Sequence, residues 1–308
     1  MRRILFVKTS SLGDVVHHCP AVTDAARHFP GAVIDWVVEE AFAAIPPMHP
    51  AVRRALPVAL RRWRRSLWSP ASWSEMRRFR RQLGGERYDA VIDTQSLVKS
   101  ALIASAAEGV RHGLDRASAR EPLAARFYDV AHAVPKGQHA VERNRQLVAA
   151  ALGYAVEGAP DYGLKKSPAH GSGEHAVFLT MTSRADKLWP EERWIALGRA
   201  LGRRVVLPWG SDGERERATR IRDALGSDAT VPARMTLAEL AALFAGAHCV
   251  VGTDTGLTHL AAAMGARTVG LYGGSDPALT GLYGAPSAVN LGAPGRMPAV
   301  AEVTEALL

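Results

Sequence analysis

Ile4-Leu5-Phe6-Val7-Lys8-Thr9-Ser10-Ser11-Leu12-Gly13-Asp14 is the stretch that decides the fold. Four apolar residues in a row are the length of a strand buried on both faces. The small and polar run 9–13 makes a tight loop. From 14 to 29 the apolar residues recur at helical spacing until Pro30-Gly31 stops them. A second apolar strand is expected at 34–38. Strand, loop, helix and strand in that order open a parallel βαβ unit.

The same alternation continues outward. Strands are expected at 56–60 and 90–93, and helices at 74–83, 97–107 and 140–152. A stretch rich in Gly, Pro, Lys and Ser, 157–173, has no sustained period and reads as a linker. Beyond it strands are expected at 176–179, 204–207, 249–252 and 268–272, with helices at 191–201, 214–225, 237–245 and 257–264. The expected class is α/β. A Rossmann-like domain spans 1–160, a second spans 174–297, and a helical segment at 298–308 is expected, by analogy, to cross back to the first. Two such halves imply a central cleft with ligands just after the strands.

Composition narrows the partners. Of 308 residues 47% are hydrophobic, a normal share for globular cores, and 38 Lys and Arg against 30 Asp and Glu leave a net charge of +8. That excess suits an anionic partner: a phosphorylated small molecule, an acidic membrane surface or nucleic acid. The two cysteines, Cys19 and Cys249, lie far apart in apolar segments, which argues against a disulfide framework and for a reducing compartment. The basic start carries only four apolar residues, too few for a signal peptide, and no apolar run nears the ~20 residues of a membrane span. The chain is expected to be soluble and cytoplasmic.

Three segments after strands carry candidate chemistry. Asp14 opens the first helix; it reads either as a cap or first-turn acid, or as a general base on an acceptor hydroxyl. The Lys8–Asp14 loop lacks Walker A spacing. Val250-Val251-Gly252-Thr253-Asp254-Thr255-Gly256-Leu257-Thr258-His259 runs from strand through small residues into a helix. The first N–H groups of that helix can face a diphosphate. Asp254 could accept hydrogen bonds from sugar hydroxyls, or be a simple cap. Thr182, Ser183 and Lys187 follow the first strand of the second half, where a lysine could offset the charge on a departing diphosphate, or simply be solvated.

Basic residues form a fourth group. Arg61, Arg62, Arg64 and Arg65 follow a strand, and Arg77, Arg78, Arg80 and Arg81 read as a solvated helix face. Lys99, Arg120, His139 and Arg143 add anion contacts from later segments of the same half. No metal site is expected, since His17 and His18 point in different directions and no His-Glu-x-x-His occurs. No RRM, KH or zinc-finger pattern supports nucleic acid.

Read together, segments along nearly the whole chain resemble the lipopolysaccharide heptosyltransferase I family. They are 8–14, Trp36-Val37-Val38-Glu39-Glu40, Arg61-Arg62-Trp63-Arg64, Tyr88-Asp89-Ala90-Val91-Ile92-Asp93, Leu97-Val98-Lys99-Ser100, 119–124, 138–143, Lys187 with Trp189-Pro190-Glu191-Glu192, Leu207-Pro208-Trp209-Gly210, and Asp254-Thr255-Gly256-Leu257. The resemblance implies a GT-B glycosyltransferase that needs no metal or cofactor. It would move L-glycero-D-manno-heptose from ADP-heptose to the first Kdo of Kdo2-lipid A with inversion. By it Asp14 matches the general base and Lys187 the residue that stabilises leaving ADP. Thr182, Ser183, Glu214, Met235, Asp254, Thr255, Gly256 and His259 match donor positions. Arg61, Arg62, Arg64, Arg65, Lys99, Arg120, His139 and Arg143 would meet the acceptor. Ser183 stands where a threonine, and Ser96 where a glycine, would be expected.

The implied partners are ADP-heptose, Kdo2-lipid A and the anionic cytoplasmic face of the inner membrane, met by a peripheral monomer. The nearest rival is heptosyltransferase II, which uses a heptosylated acceptor. A non-catalytic nucleotide-sugar binding protein is a rival of another class, and would have no use for Asp14 as a base. A nucleic-acid binder would instead show steeply salt-dependent affinity for oligonucleotides.

Overall fold

The computed structural model describes residues 2–66, 68–164, 173–182 and 184–307. Part of the expected linker, 165–172, and the candidate Ser183 lie outside the described residues. The chain divides into two compact units, Met1–Gly163 and Leu164–Leu308.

The first unit holds a parallel sheet of β1 (Arg3–Val7), β2 (Val33–Glu39), β3 (Val52–Val58), β4 (Arg87–Asp93), β5 (Glu108–Leu114) and β6 (Val130–His132), in the order β3-β2-β1-β4-β5-β6. Its helices are α1 (Leu12–Val16), α2 (Cys19–His28), α3 (Leu60–Arg65), α4 (Pro70–Gly84), α5 (Val98–Ala104) and α6 (Ala140–Leu152). The central strand explains the continuous apolar run. Ile4, Leu5, Phe6 and Val7 are all fully buried because helices cover both faces. Leu5 and Val7 enter a core with Trp63, Leu83 and Ile103, and on the other face Phe6 meets the His18 ring edge-on.

The second unit repeats the plan. Its sheet comprises β7 (His175–Leu179), β8 (Arg204–Val206), β9 (Ala229–Thr230), β10 (Cys249–Thr253), β11 (Thr268–Tyr272) and β12 (Ala288–Gly292), in the order β12-β11-β10-β7-β8-β9, all parallel. Helices α7 (Glu191–Leu201), α8 (Asp212–Leu225), α9 (Leu237–Ala245), α10 (Gly256–Ala263), α11 (Pro277–Thr280) and α12 (Val300–Leu307) surround it. Trp189, Trp194 and Phe178 fill its core. Numbered from its own first strand, each sheet runs 3-2-1-4-5-6, the doubly wound order whose reversal lies between strands 1 and 4.

Several expectations need correction. The helix expected over 14–29 is two helices, because Pro20 has no N–H to continue the ladder and the turn re-forms at His18. Leu60 opens a helix rather than closing a strand, so Arg61, Arg62, Arg64 and Arg65 ride on α3. The helix expected over 97–107 ends at Ala104, and strand β5 begins at Glu108. The C-terminal helix, expected to cross back, packs within the second unit on α7, β11 and β12, with Val303 and Leu307 buried in that core.

Candidate active site

In both units a group of the candidate residues gathers at the carboxyl ends of the two strands that flank the order reversal. In the first unit these are β1 and β4, and the loops that leave them are tied together. The Thr9 and Ser10 N–H groups each donate to Gln95 Oε1 at 3.1 Å. Lys8 Nζ donates to the Thr94 carbonyl at 2.9 Å and lies 3.4 Å from Asn144 Oδ1 on α6. Burial lowers the Lys8 pKa; Asp14 and Asp93 oppose that fall, and Arg120 and Arg143 add to it.

Asp93 anchors the second loop. Its carboxylate accepts from the Gln95 N–H at 2.8 Å, the Ser96 N–H at 3.2 Å, and the Ser100 and Tyr128 hydroxyls at 2.8 Å each. Burial still raises its pKa against those donors.

Asp14 serves the cap role and is also open. It is the third residue of α1, and its Oδ2 accepts from the Ser11 N–H at 2.9 Å and the Ser11 hydroxyl at 3.3 Å. Arg120 Nη1 stands 3.6 Å from the same oxygen, and 28% of the Asp14 side chain remains exposed. Lys99 Nζ reaches within 3.4 Å of Ser10 Oγ. Arg143 donates to the Ser118 carbonyl at 2.7 Å; burial and neighbouring Arg120 lower its pKa. His139 caps α6 by accepting from the Val141 N–H at 3.2 Å, its ring edge-on to His17 at 5.4 Å. Arg120 and Lys8 thus place positive charge near the Asp14 carboxylate, with Arg143 beside Arg120 and Lys99 against Ser10.

The arginines of α3 are held differently. Arg62 is clamped between Glu40 at 3.0 Å and Glu75 at 2.8 Å, so its charge is already matched and it is a poorer anion contact than expected. Arg61 lies 5.4 Å over the Phe42 ring, and its N–H donates to Glu39. Arg64 and Arg65 are exposed.

In the second unit three elements converge on Asp254, just beyond β10. Lys187, after β7, donates to Oδ2 at 2.5 Å, and the Ser275 hydroxyl, after β11, donates to the same oxygen. His259 Nε2, on α10, is 3.3 Å from Oδ1. Burial pushes the Asp254 carboxyl up, but His259, Lys187 and Ser275 outweigh it and hold it well below the usual carboxylate range.

Small residues make this convergence possible. A Cβ on Gly274 would fall 2.5 Å from Asp186 Oδ2, so a side chain there would have to displace the Asp186 carboxylate for the β11 loop to lie against the Lys187 turn. A Cβ on Gly252 would fall 2.2 Å from Thr258 Oγ1, the hydroxyl that donates to the Thr253 carbonyl at 2.7 Å. The N-cap Thr255 turns its hydroxyl to Thr258 at 3.2 Å instead of capping the helix. The first N–H groups of α10 are therefore available to an anion.

Thr182 lies partly buried just after β7. Glu214 and Met235 follow β8 and β9. Glu214 accepts from the Gly210 N–H at 2.7 Å, and Met235 precedes the N-cap of α9. Neither is described in contact with the Asp254 cluster. Beside them the Trp209 indole donates to the Pro232 carbonyl at 2.8 Å, under the Arg215 guanidinium.

Sequence reasoning missed Gln95, Asn144 and Ser275. Gln95 and Ser275 do follow strands, the one available signal; Asn144 lies inside a helix and gave none. Among the described residues no group of three His, Cys, Asp or Glu is placed to hold a metal ion, and no helix is long and apolar enough to cross a membrane.

Comparison with known proteins gives the geometry a context. Residues 76–306 match glycosyltransferase family 9 (heptosyltransferase). Lipopolysaccharide heptosyltransferase 1 of Pseudomonas aeruginosa is 51% identical over 94% of this chain and 83% of its own length. The structure of Escherichia coli heptosyltransferase WaaC with ADP is 46% identical over 98% of both chains, with a TM-score of 0.93. The same enzyme with ADP-2-deoxy-2-fluoro heptose superposes with a TM-score of 0.88 at 45% identity, covering 99% of this chain and 97% of the other.

Proposed function

The chain belongs to glycosyltransferase family 9, the heptosyltransferases, and has a GT-B fold; we propose that it moves L-glycero-D-manno-heptose from ADP-heptose to the first Kdo of Kdo2-lipid A, with inversion. The observation that carries the reading is the near full-length likeness to a heptosyltransferase solved with ADP and with an ADP-heptose analogue. The two aspartate sites supply the chemistry such a transfer needs.

Asp14 is the base. Its described donors converge on Oδ2, which leaves Oδ1 to take the proton of the attacking hydroxyl as the new C–O bond forms at the anomeric carbon. The bond from that carbon to the diphosphate breaks, and ADP leaves with the electron pair. The N-terminus of α10, from Thr255 and Gly256, meets the developing charge with Lys187. Asp254 and His259 hold the lysine in place, and Lys187 keeps further N–H donors for phosphate oxygens. Thr182, Ser183, Glu214 and Met235 complete the donor contacts. Lys99, Arg120, His139 and Arg143 hold the carboxylates and phosphates of the acceptor. Charge neutralisation is assigned to protein groups, and the reading calls for no metal. The protein works as a peripheral monomer on the cytoplasmic face of the inner membrane.

The test is transfer from ADP-heptose to purified Kdo2-lipid A, with and without EDTA, beside Asp14→Ala. Product in both wild-type reactions and none from the variant supports donor, acceptor, base and metal independence together. Product only on a heptosylated acceptor would replace the reading with addition of the second heptose. ADP binding without transfer to either acceptor would reduce it to a nucleotide-sugar binding protein.

A further inference from the structure

The 25 residues from Leu60 to Gly84 contain eight arginines and one acid, Glu75, and so hold seven of the chain's eight net positive charges. They form α3 and α4, fastened together where Glu75 accepts from both the Trp63 indole and Arg62, at 2.8 Å each. The single acid is therefore used inside the pair. Among the described residues no ion-pair partner lies against Arg65, Arg77, Arg80 or Arg81, and all four are exposed.

Two large aromatic side chains share this surface without entering the core. Trp68, in the α3–α4 turn, is 98% exposed, and Trp73 is 52% exposed. The inward side of α4 is occupied by Met76, Phe79 and Leu83, which pack on Trp63. At 100° per residue, Trp73, Arg77, Arg80 and Arg81 fall at i, i+4, i+7 and i+8 and share one outward face. The contrast with α8 is direct: that helix also has four arginines but balances them with four acids.

We propose that the outward face of α3 and α4 is a membrane-docking surface, with Trp68 and Trp73 inserting at the headgroup level of an anionic phospholipid bilayer and the arginines contacting its phosphates. Tryptophan beside arginine matches the bilayer interface, where an amphipathic ring sits between apolar and wet layers. A cationic face with its own apolar side already buried has no use for a protein core, and charge complementarity selects the anionic surface. The inference rests on the part of the functional reading that puts the enzyme at an anionic membrane, and it identifies the surface that does so.

The experiment is flotation of the full chain with vesicles of phosphatidylcholine alone, or mixed with phosphatidylglycerol, free of lipopolysaccharide so that docking is separated from acceptor binding. Binding is expected only to the mixed vesicles and to weaken in high salt. Arg77→Glu with Arg81→Glu should lower it at least ten-fold, given roughly five-fold per basic residue near the surface. Arg199→Glu with Arg203→Glu, an equal charge change on the second unit, should leave most of it. Trp68→Ala with Trp73→Ala should abolish quenching of tryptophan fluorescence by brominated lipid, while circular dichroism stays unchanged. Equal binding to neutral vesicles, equal loss in both arginine pairs, or quenching that survives the tryptophan changes would each overturn the proposal. So would tight oligonucleotide binding with no vesicle binding. Heptose transfer to detergent-dispersed acceptor is measured in parallel, and its failure alone would count against the transferase reading and not the docking surface.

Discussion

Asp14, in the first helix after β1, and Asp254, in the turn after β10, each follow a strand beside the reversal of strand order, yet they are held in opposite ways. Asp254 is 9% exposed, and donors from three elements fix its charge. Asp14 is 28% exposed, bonded only locally to Ser11, with one arginine at 3.6 Å. A carboxylate saturated with donors is a permanent anion, suited to positioning a lysine and a histidine. A carboxylate with room beside it can accept a proton. On the proposed reading one fold, used twice, supplies one site for chemistry and one for grip.

Replacing the open carboxylate should have the largest effect. Asp14→Asn should cut turnover by about 10²–10⁴-fold, the usual contribution of a positioned base, and leave ADP affinity by calorimetry within about two-fold. Turnover that survives would end the comparison. Asp254→Asn should act on binding and stability instead. It releases Lys187 and His259, so donor affinity should fall about ten-fold or more, and urea unfolding should show a loss of about 3 kcal/mol for a broken, mostly buried ion pair. A variant as stable as wild type would mean the Lys187 contact is incidental.

The two sites also part in acid. The folded state holds the Asp254 carboxyl below its ordinary range, so it binds that proton less readily than the unfolded chain. The stabilisation is complete above the ordinary value of 3.8 and is lost as pH falls through it toward the folded value. The stability gap between wild type and Asp254→Asn should therefore be widest at about pH 7 and narrow by about pH 3. A gap that stays constant with pH would show that the donors do not act through its charge.

The sequence made some of this legible for a physical reason. Buried parallel strands are continuous apolar runs, so β1, β7, β10 and β11 were found within a residue or two at each end. Ligands sit after such strands, so the Asp14 and Asp254 loops could be located too. Strands without a continuous apolar run escaped notice: β5 reads Glu-Gly-Val-Arg-His-Gly-Leu, partly exposed, and β9 has two residues. Side chains that meet only through the fold also escaped, as Gln95 does when it binds the loop after β1, or Ser275 when it joins Lys187 on one oxygen. Charge alone misled at Arg62, because Glu40 and Glu75, 22 and 13 residues away, are brought against it.

The smallest effect concerns backbone, and it sets the first unit's anchor loop against the glycines of the second. Where β11 leads into a tight approach, the second unit has Gly274, at which a Cβ would press on the Asp186 carboxylate. After β4 the first unit places a serine in the left-handed region, Ser96 at φ 56°. Its N–H is held by Asp93 at 3.2 Å and its carbonyl by the Glu121 N–H at 3.1 Å, so the conformation is imposed from both sides. Its hydroxyl is buried without a hydrogen-bond partner among the described residues. Ser96→Gly removes about 1 kcal/mol of left-handed strain and about 1 kcal/mol of unmet hydroxyl, against about 0.5–1 kcal/mol of added freedom in the unfolded chain. The net expectation is a gain of about 1 kcal/mol, a rise in Tm of roughly 2–4 °C for a unit of this size. Ser96→Ala keeps the strain but removes the unmet hydroxyl without that added freedom, so it should gain about as much, about 1 kcal/mol. A glycine variant that instead loses stability would mean that the hydroxyl is bonded to something the local structure needs, and the loop around Asp14 would then be as tightly determined as the one around Asp254.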